Sequence, residues 1–562
     1  MRERDPGRNV TGFPARPASG NVLFEAHDSM IRSELWLAAA TCVVCTLSGF
    51  PDPAGAAGLP GDSLPALRTP AETAAFERHT SHTEMMAYLL QVQRHASDMR
   101  LGSYGTSWEG RDLPFAIFSR PAVGTPAEAH ATGKPVIVLG ANVHGFNHVL
   151  REALLIMMRE LGAPGTELNA LLDEVIVLVV PSKNPDGLEA GIRFNARGAD
   201  LNRDYMTLDE PSMAAYVGEI MNRWEPHLVV DGHDGGDVQY GGAYPRHLLY
   251  QGPGLAGADP ALAGLADDRL FPHLDRSLEA AGFEGFYWSR GDAERWYAGG
   301  SAPRMGRNYG GLANKISILF EVAAWPGFEG GVEVGLVTLR SVLTFARDEG
   351  RELVATVQGA RQETVAMGAE PRGRIPVAER MEAEAERVSY RIAHPEREGE
   401  LLLVEDAEIM KRPVGTSFRE RPYAYVLPPE AEEVVALLRR QRILVERLDE
   451  ATEAEVRSYT VAGIHWEEGG NLHRSALRIE VGREIDGVRE LPRGSWVVRT
   501  GQTLGRVVTH LLEPETGDSV YHWGRVTHLL PLEAFAPSGG GGGGGEEPEL
   551  PIVKLMSPVG LP

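Results

Sequence analysis

The chain has 562 residues, 43% of them hydrophobic and 24% charged, which excludes a disordered polymer and is too long for one ordinary core. Its formal net charge of −23 argues against a nucleic-acid partner, because an acidic surface repels phosphates.

Residues 1–57 read as an N-terminal extension and signal peptide. The apolar run 35–47 (LWLAAATCVVCTL) follows Met30 and Arg32 and precedes the small-residue stretch 54–57 (AGAA). A membrane span needs about 20 apolar residues, so this order predicts a secretory signal cut near Ala57, with a short anchor as the alternative. Export to the periplasm or the medium is expected, with no stable membrane span after cleavage. Met30 is a candidate start. The two cysteines, Cys42 and Cys45, both lie in this run. A mature chain would have neither, so any metal would be held by histidine, carboxylate or amide groups.

Residues 58–73 are Gly/Pro-rich and are expected to be a linker. A first globular domain is expected over 74–368. Its short apolar runs 135–140 (PVIVLG), 174–180 (EVIVLVV), 227–230 (HLVV) and 316–320 (ISILF) predict buried strands. The segment 149–161 (VLREALLIMMREL) has helical spacing. Strands alternating with helices predict an α/β fold, a sheet flanked by helices on both faces, with ligands collecting past the carboxyl ends of the strands. An accessory domain is expected over 369–536, mixed and strand-rich. There, 379–387 reads as a charged helix, 424–427 as a strand, 430–440 as a helix, and 443–448, 476–481 and 495–499 as strands. The glycine run 539–545 cannot hold one conformation cheaply, so 537–562 is expected to be a linker and loose tail.

The chemistry-bearing residues follow the apolar runs. After PVIVLG come His144, Asn147 and His148. After EVIVLVV comes Asn184-Pro185-Asp186-Gly187. Then come Arg193 and Gly198-Ala199-Asp200-Leu201-Asn202-Arg203. After HLVV come Asp231 and His233, and after ISILF comes Glu321. Polar groups recurring at the same topological position point to a site, whereas a single histidine after a strand is usually packed or solvated. Asn184–Gly187 on its own is a turn, since Asn, Pro and Gly each favour turn geometry.

Taken in this order, with the upstream Ser107-Trp108-Glu109-Gly110-Arg111, the motifs over about 74–325 resemble the zinc carboxypeptidases related to carboxypeptidases A and T. The resemblance implies a mixed, mostly parallel twisted sheet and a Zn²⁺ cofactor held by His144 and His233. It also implies an activated water whose proton Glu321 accepts and passes to the leaving amine. Arg193 would stabilise the oxyanion. Asn202 and Arg203 would clamp the terminal carboxylate of a peptide substrate. Tyr297, with Tyr309 as a rival, would close over the substrate. Arg304 and Arg307 stand in the stretch expected near the side-chain pocket.

The sequence departs from the family at one ligand, where the expected glutamate falls on Asn147. Three readings stay open: His148 becomes the third nitrogen ligand, Asn147 coordinates through its neutral carbonyl, or the site is degenerate. Glu152, five residues beyond Asn147 and about 7.5 Å along a helix, reads as a solvated carboxylate instead. The expected function is an exported metallocarboxypeptidase acting on peptides with a free carboxyl terminus. A non-catalytic binder of peptides or carboxylates, or a related amide hydrolase, is the alternative. The sequence leaves the oligomeric state open.

Overall fold

The computed structural model describes residues 64–235, 246–324, 327–397, 400–467, 476–535 and 547–558. The proposed signal peptide, both cysteines and the glycine run lie outside the described residues. No helix among the described residues is long and apolar enough to cross a membrane.

The fold is mixed α/β. Its main sheet has eight strands, in the spatial order Met99–Thr106, Asp112–Phe118, Ile176–Val180, Val136–Ala141, Leu228–Asp234, Ile316–Val322, Leu248–Gln251 and Gly285–Tyr287. The four central strands run parallel, and antiparallel partners flank them. Helices cover both faces, so the central strands are apolar at nearly every position. In Val136–Ala141 every residue is buried, and alternate side chains feed opposite cores. Ile137 and Leu139 join one cluster with the helices Val149–Gly162 and Gly327–Asp348, whereas Val136 and Val138 join the other. Each such buried Val, Ile or Leu contributes roughly 1.5–3 kcal/mol.

The second cluster crosses the whole chain. Leu201, Tyr205 and Tyr309 pack in it with Val434, Leu438, Val507 and Leu511 from the carboxyl-terminal half. That half adds two further sheets. One is a long ribbon of Arg374–Ala393 against Leu401–Glu420, extended by Arg295–Ala298 and Ser289–Gly291. The other has six strands.

Three expectations about local structure are corrected. Residues 379–387 are not a helix but lie inside the strand Arg374–Ala393, because an antiparallel partner satisfies their backbone along the whole ribbon. The tail is not loose throughout. Val553–Leu555 inserts beside Ala424–Leu427, and buried Lys554 reaches Glu513 at 2.6 Å and the Tyr459 hydroxyl at 2.7 Å. The stretch expected as a linker is docked from Leu64 onward. Leu64 is buried, Thr69 and Glu72 form a reciprocal helix cap, and Glu72 pairs with Arg159 at 2.7 Å.

Candidate active site

The four parallel strands end on one side of the sheet, and the polar motifs gather there. Strand alternation puts Val229, Asp231 and His233 on the same face. Glu321 stands directly across from His233 in register, so it shares that face. His144 follows the neighbouring strand, in a loop templated by Asn142. Asn142 adopts a left-handed conformation (φ 57°), which asparagine tolerates better than most residues. Its Nδ2 donates to the carbonyls of His144 (3.1 Å), Gly145 (3.1 Å) and Asn147 (2.8 Å), and its Oδ1 accepts from Ser182.

Gly145 lies against the segment that carries Arg193. A Cβ there would stand 2.1 Å from the Gly187 carbonyl carbon and 2.4 Å from the Ile192 carbonyl oxygen, both backbone atoms. Gly145→Ala should therefore destabilise the fold by about 3 kcal/mol, read as a lower denaturant midpoint.

The ring Nδ1 atoms of His144 and His233 face each other at 3.2 Å. Each ring has a carboxylate behind its other nitrogen: Asp200 Oδ1 lies 3.3 Å from His144 Nε2, and Asp231 Oδ2 lies 3.3 Å from His233 Nε2. Asp231 is braced by Lys183 Nζ at 2.5 Å, and Asp200 by Arg193 at 2.9 Å. Burial alone would raise both carboxyls. For Asp200, His144, Arg203 and Arg193 outweigh it; for Asp231, Lys183 and His233 do. Both therefore stay well below the usual carboxylate range. Burial pushes the His144 imidazole down to about 4, against the Asp200 hydrogen bond, so the ring is neutral at neutral pH. Burial pushes the Glu321 carboxyl up to about 7, with His233 opposing the shift.

Two imidazole nitrogens bound to one tetrahedral cation at 2.0–2.1 Å stand about 3.3 Å apart, so the pair fits a shared metal ion. The backing carboxylates match the outer shell that orients metal-ligating histidines. Asn147 Oδ1 is buried and has no hydrogen-bond partner among the described residues, while its Nδ2 donates to the Asp234 carbonyl at 3.4 Å. That acceptor is a candidate third donor. Among the described residues no group of three His, Cys, Asp or Glu side chains forms a metal site, because the third position is an amide.

His144, Arg193, Asn202, Arg203, Glu321 and Arg307 line one pocket of about 100 Å³. Three expected site residues are not in its lining: His233, which abuts His144, and His148 and Tyr297, which lie elsewhere. His148 stacks flat on His79, with ring centroids 3.9 Å apart, and its backbone N–H donates to Asp234 at the start of the helix Val149–Gly162. Its neighbour Asn147 turns the other way, as adjacent residues entering a helix do. Tyr297 sits on the strand Arg295–Ala298, paired with Met410 and Arg290 and half-exposed beside Asp292. Tyr309 is fully buried, donating to Gln441 and accepting from Asn222, each at 2.6 Å.

Glu152 is not solvated. It is buried, accepting from the Thr80 N–H (2.8 Å), the Thr80 hydroxyl (2.7 Å) and Arg151 (2.9 Å). The early motif serves as a frame: Ser107, Glu109 N–H and Arg111 all bind Asp186 of the Asn-Pro-Asp-Gly turn.

Sequence reasoning missed Lys183 and Asn142, and their only signal was a polar residue just past an apolar strand. It also gave no part to Asp234, whose carboxylate caps the helix following Asn147.

Residues 85–247 match the family described as Zinc carboxypeptidase. Carboxypeptidase 2 of Trichophyton rubrum is 25% identical over 518 residues, covering 85% of this chain and 92% of that protein. Carboxypeptidase E of Caenorhabditis elegans is 32% identical over 155 residues, 25% of this chain and 32% of that protein. Among solved structures, a metallo-carboxypeptidase from Pseudomonas aeruginosa in complex with (2-guanidinoethylmercapto)succinic acid aligns with a TM-score of 0.37 and 20% identity. That alignment covers 48% of this chain and 69% of that one. The matched residues carry the ordered motifs from His144 to His233 that gather at the ends of the parallel strands, and the likeness to the zinc carboxypeptidase family rests on that stretch.

Proposed function

We propose that this chain is an exported metallocarboxypeptidase that hydrolyses the last peptide bond of peptides with a free carboxyl terminus. The observation that carries this reading is the convergence of two ring nitrogens at 3.2 Å beside Glu321 in a pocket that also holds Arg193, Asn202 and Arg203.

His144, His233 and Asn147 would hold Zn²⁺, which when bound polarises a carbonyl and acidifies water. The Glu321 carboxyl is poised near neutrality, so its ionised form is suited to taking a proton from water and, once protonated, to giving it to the leaving amine. Arg193, fixed by Asp200, presents its guanidinium toward the space beside His144 (Nη1 to Nδ1, 3.4 Å), where a developing oxyanion would be stabilised. Asn202 and Arg203 orient the substrate by its terminal carboxylate, and Arg203 is steadied by the Asn202 carbonyl at 2.8 Å. Export rests on the leader-like order in residues 1–57.

The protein is expected to release free amino acids from unblocked peptides, to spare peptides amidated at the carboxyl terminus, and to lose activity on chelation with recovery on added Zn²⁺. Absence of release at any pH with Zn²⁺ supplied would sink the reading. A second reading, a peptide binder without hydrolysis, is favoured by the neutral Asn147 in place of a charged ligand. Metal content after purification separates the two, since the binder would hold no stoichiometric zinc.

A further inference from the structure

We propose that the pocket selects peptides ending in aspartate or glutamate, with Arg307 holding the side-chain carboxylate. This deepens the carboxypeptidase reading and rests on it.

Arg307 is 2% exposed and lines the same pocket as Glu321 and Arg203. One edge of its guanidinium is anchored, with Nη2 donating to the Gly300 carbonyl at 2.6 Å. Its Nε and Nη1 are buried and find no acceptor among the described residues. The indole of Trp288 lies 5.3 Å from the guanidinium and covers it. Burial pushes the group down to about 9, with neighbouring Arg203 adding to the shift and Asp231 opposing it, so it remains charged at neutral pH.

The contrast with Arg304, three residues earlier, is informative. Arg304 pairs with Asp518 at 3.1 Å, and its backbone N–H donates to the same carboxylate. That arginine is already neutralised. The nearby carboxylates are committed in the same way: Asp231 to Lys183 and Asp200 to Arg193. Among the described residues Arg307 is left as a buried cation with no ion-pair partner, which is costly unless an anion arrives with the ligand. The terminal carboxylate of a substrate is assigned to Asn202 and Arg203, so the anion that satisfies Arg307 is a second one. A neutral side chain would leave its N–H groups unpaired, and a basic one would be repelled.

The test offers the zinc-loaded protein three substrates: N-acetyl-Ala-Glu, N-acetyl-Ala-Leu and N-acetyl-Ala-Lys. The glutamate peptide is expected to exceed both others in kcat/KM by on the order of 100-fold. Arg307→Gln should bring the ratio of kcat/KM for the glutamate and leucine peptides close to one, while Arg307→Lys should keep part of the advantage. Equal or better turnover of the leucine or lysine peptide by the unmodified protein overturns the proposal, and this comparison needs no variant to fold.

If no peptide is cleaved, hydrolysis fails as a reading and binding decides the inference. Calorimetric titration of glutarate against valerate, equal in carbon number, should favour the diacid by on the order of 30-fold. Equal affinities overturn the proposal, as does a preference that survives Arg307→Gln.

Discussion

Glu321→Gln is expected to abolish peptide release and yet give a more stable protein at pH 8. Removing a general base costs about 10²–10⁴-fold in rate, and the other carboxylate lining the pocket, Asp231, is already tied to Lys183 and His233. The stability effect has the opposite sign. Burial raises the folded carboxyl to about 7 from an ordinary value of 4.5. Between those values the folded protein binds more protons than the unfolded chain, so stability falls as pH rises. At pH 8 the charged side chain costs the metal-free fold roughly 3 kcal/mol, which the neutral amide avoids. Below pH 4 both forms are neutral and the difference should vanish. Calorimetry of both proteins in chelator at pH 4 and pH 8 checks this, and a lower melting temperature for the glutamine variant at pH 8 would contradict it.

Asn147→Glu is expected to raise Zn²⁺ affinity by about 10²–10³-fold. A full negative charge about 4 Å from a cation is worth about 4 kcal/mol at an effective dielectric of 20, and desolvation of the new carboxylate takes back part of that. The metal-free variant should melt lower than the parent protein. Its carboxylate would sit near Asp234, whose own carboxyl burial already pushes up to about 6 although three backbone N–H groups oppose the shift. The signature is therefore a crossover: less stable in chelator, more stable with Zn²⁺. Thermal melts with and without metal, together with competition against a chelating dye, read both effects. Unchanged zinc affinity would show that residue 147 is not the third donor.

The central sheet was legible because its strands are covered on both faces. A strand in that position has to be apolar throughout, and PVIVLG, EVIVLVV and ISILF announce it. The site residues were legible for a related reason. A parallel sheet exposes its strand ends to one crevice, so His144, His233 and Glu321 had to meet if those runs were neighbours.

The misread elements are those whose environment is set from far away. Residues 379–387 carry alternating charge and good helix formers, but a half-exposed ribbon tolerates charge on its outer face and the partner Leu401–Glu420 supplies the hydrogen bonds. Val553–Leu555 is too short to be recognised and is a strand only because a slot exists beside Ala424–Leu427. His148 was legible as a histidine at the right spacing from His144, but which way it turned depended on His79, almost seventy residues upstream.

By itself the sequence determined the α/β sheet, the order of the motifs and the exchange of a charged ligand for Asn147, because strand burial and residue chemistry are local properties. Only the tertiary structure decided how the substrate wall is held. Gln441 donates to the carbonyls of Tyr205 and Met206, and Arg525 binds the Thr207 carbonyl and Asp209, so the carboxyl-terminal half clamps the segment just past Asn202 and Arg203. It also decided that Arg304 is neutralised and Arg307 is not, since a counter-ion more than two hundred residues away leaves no local trace in the chain.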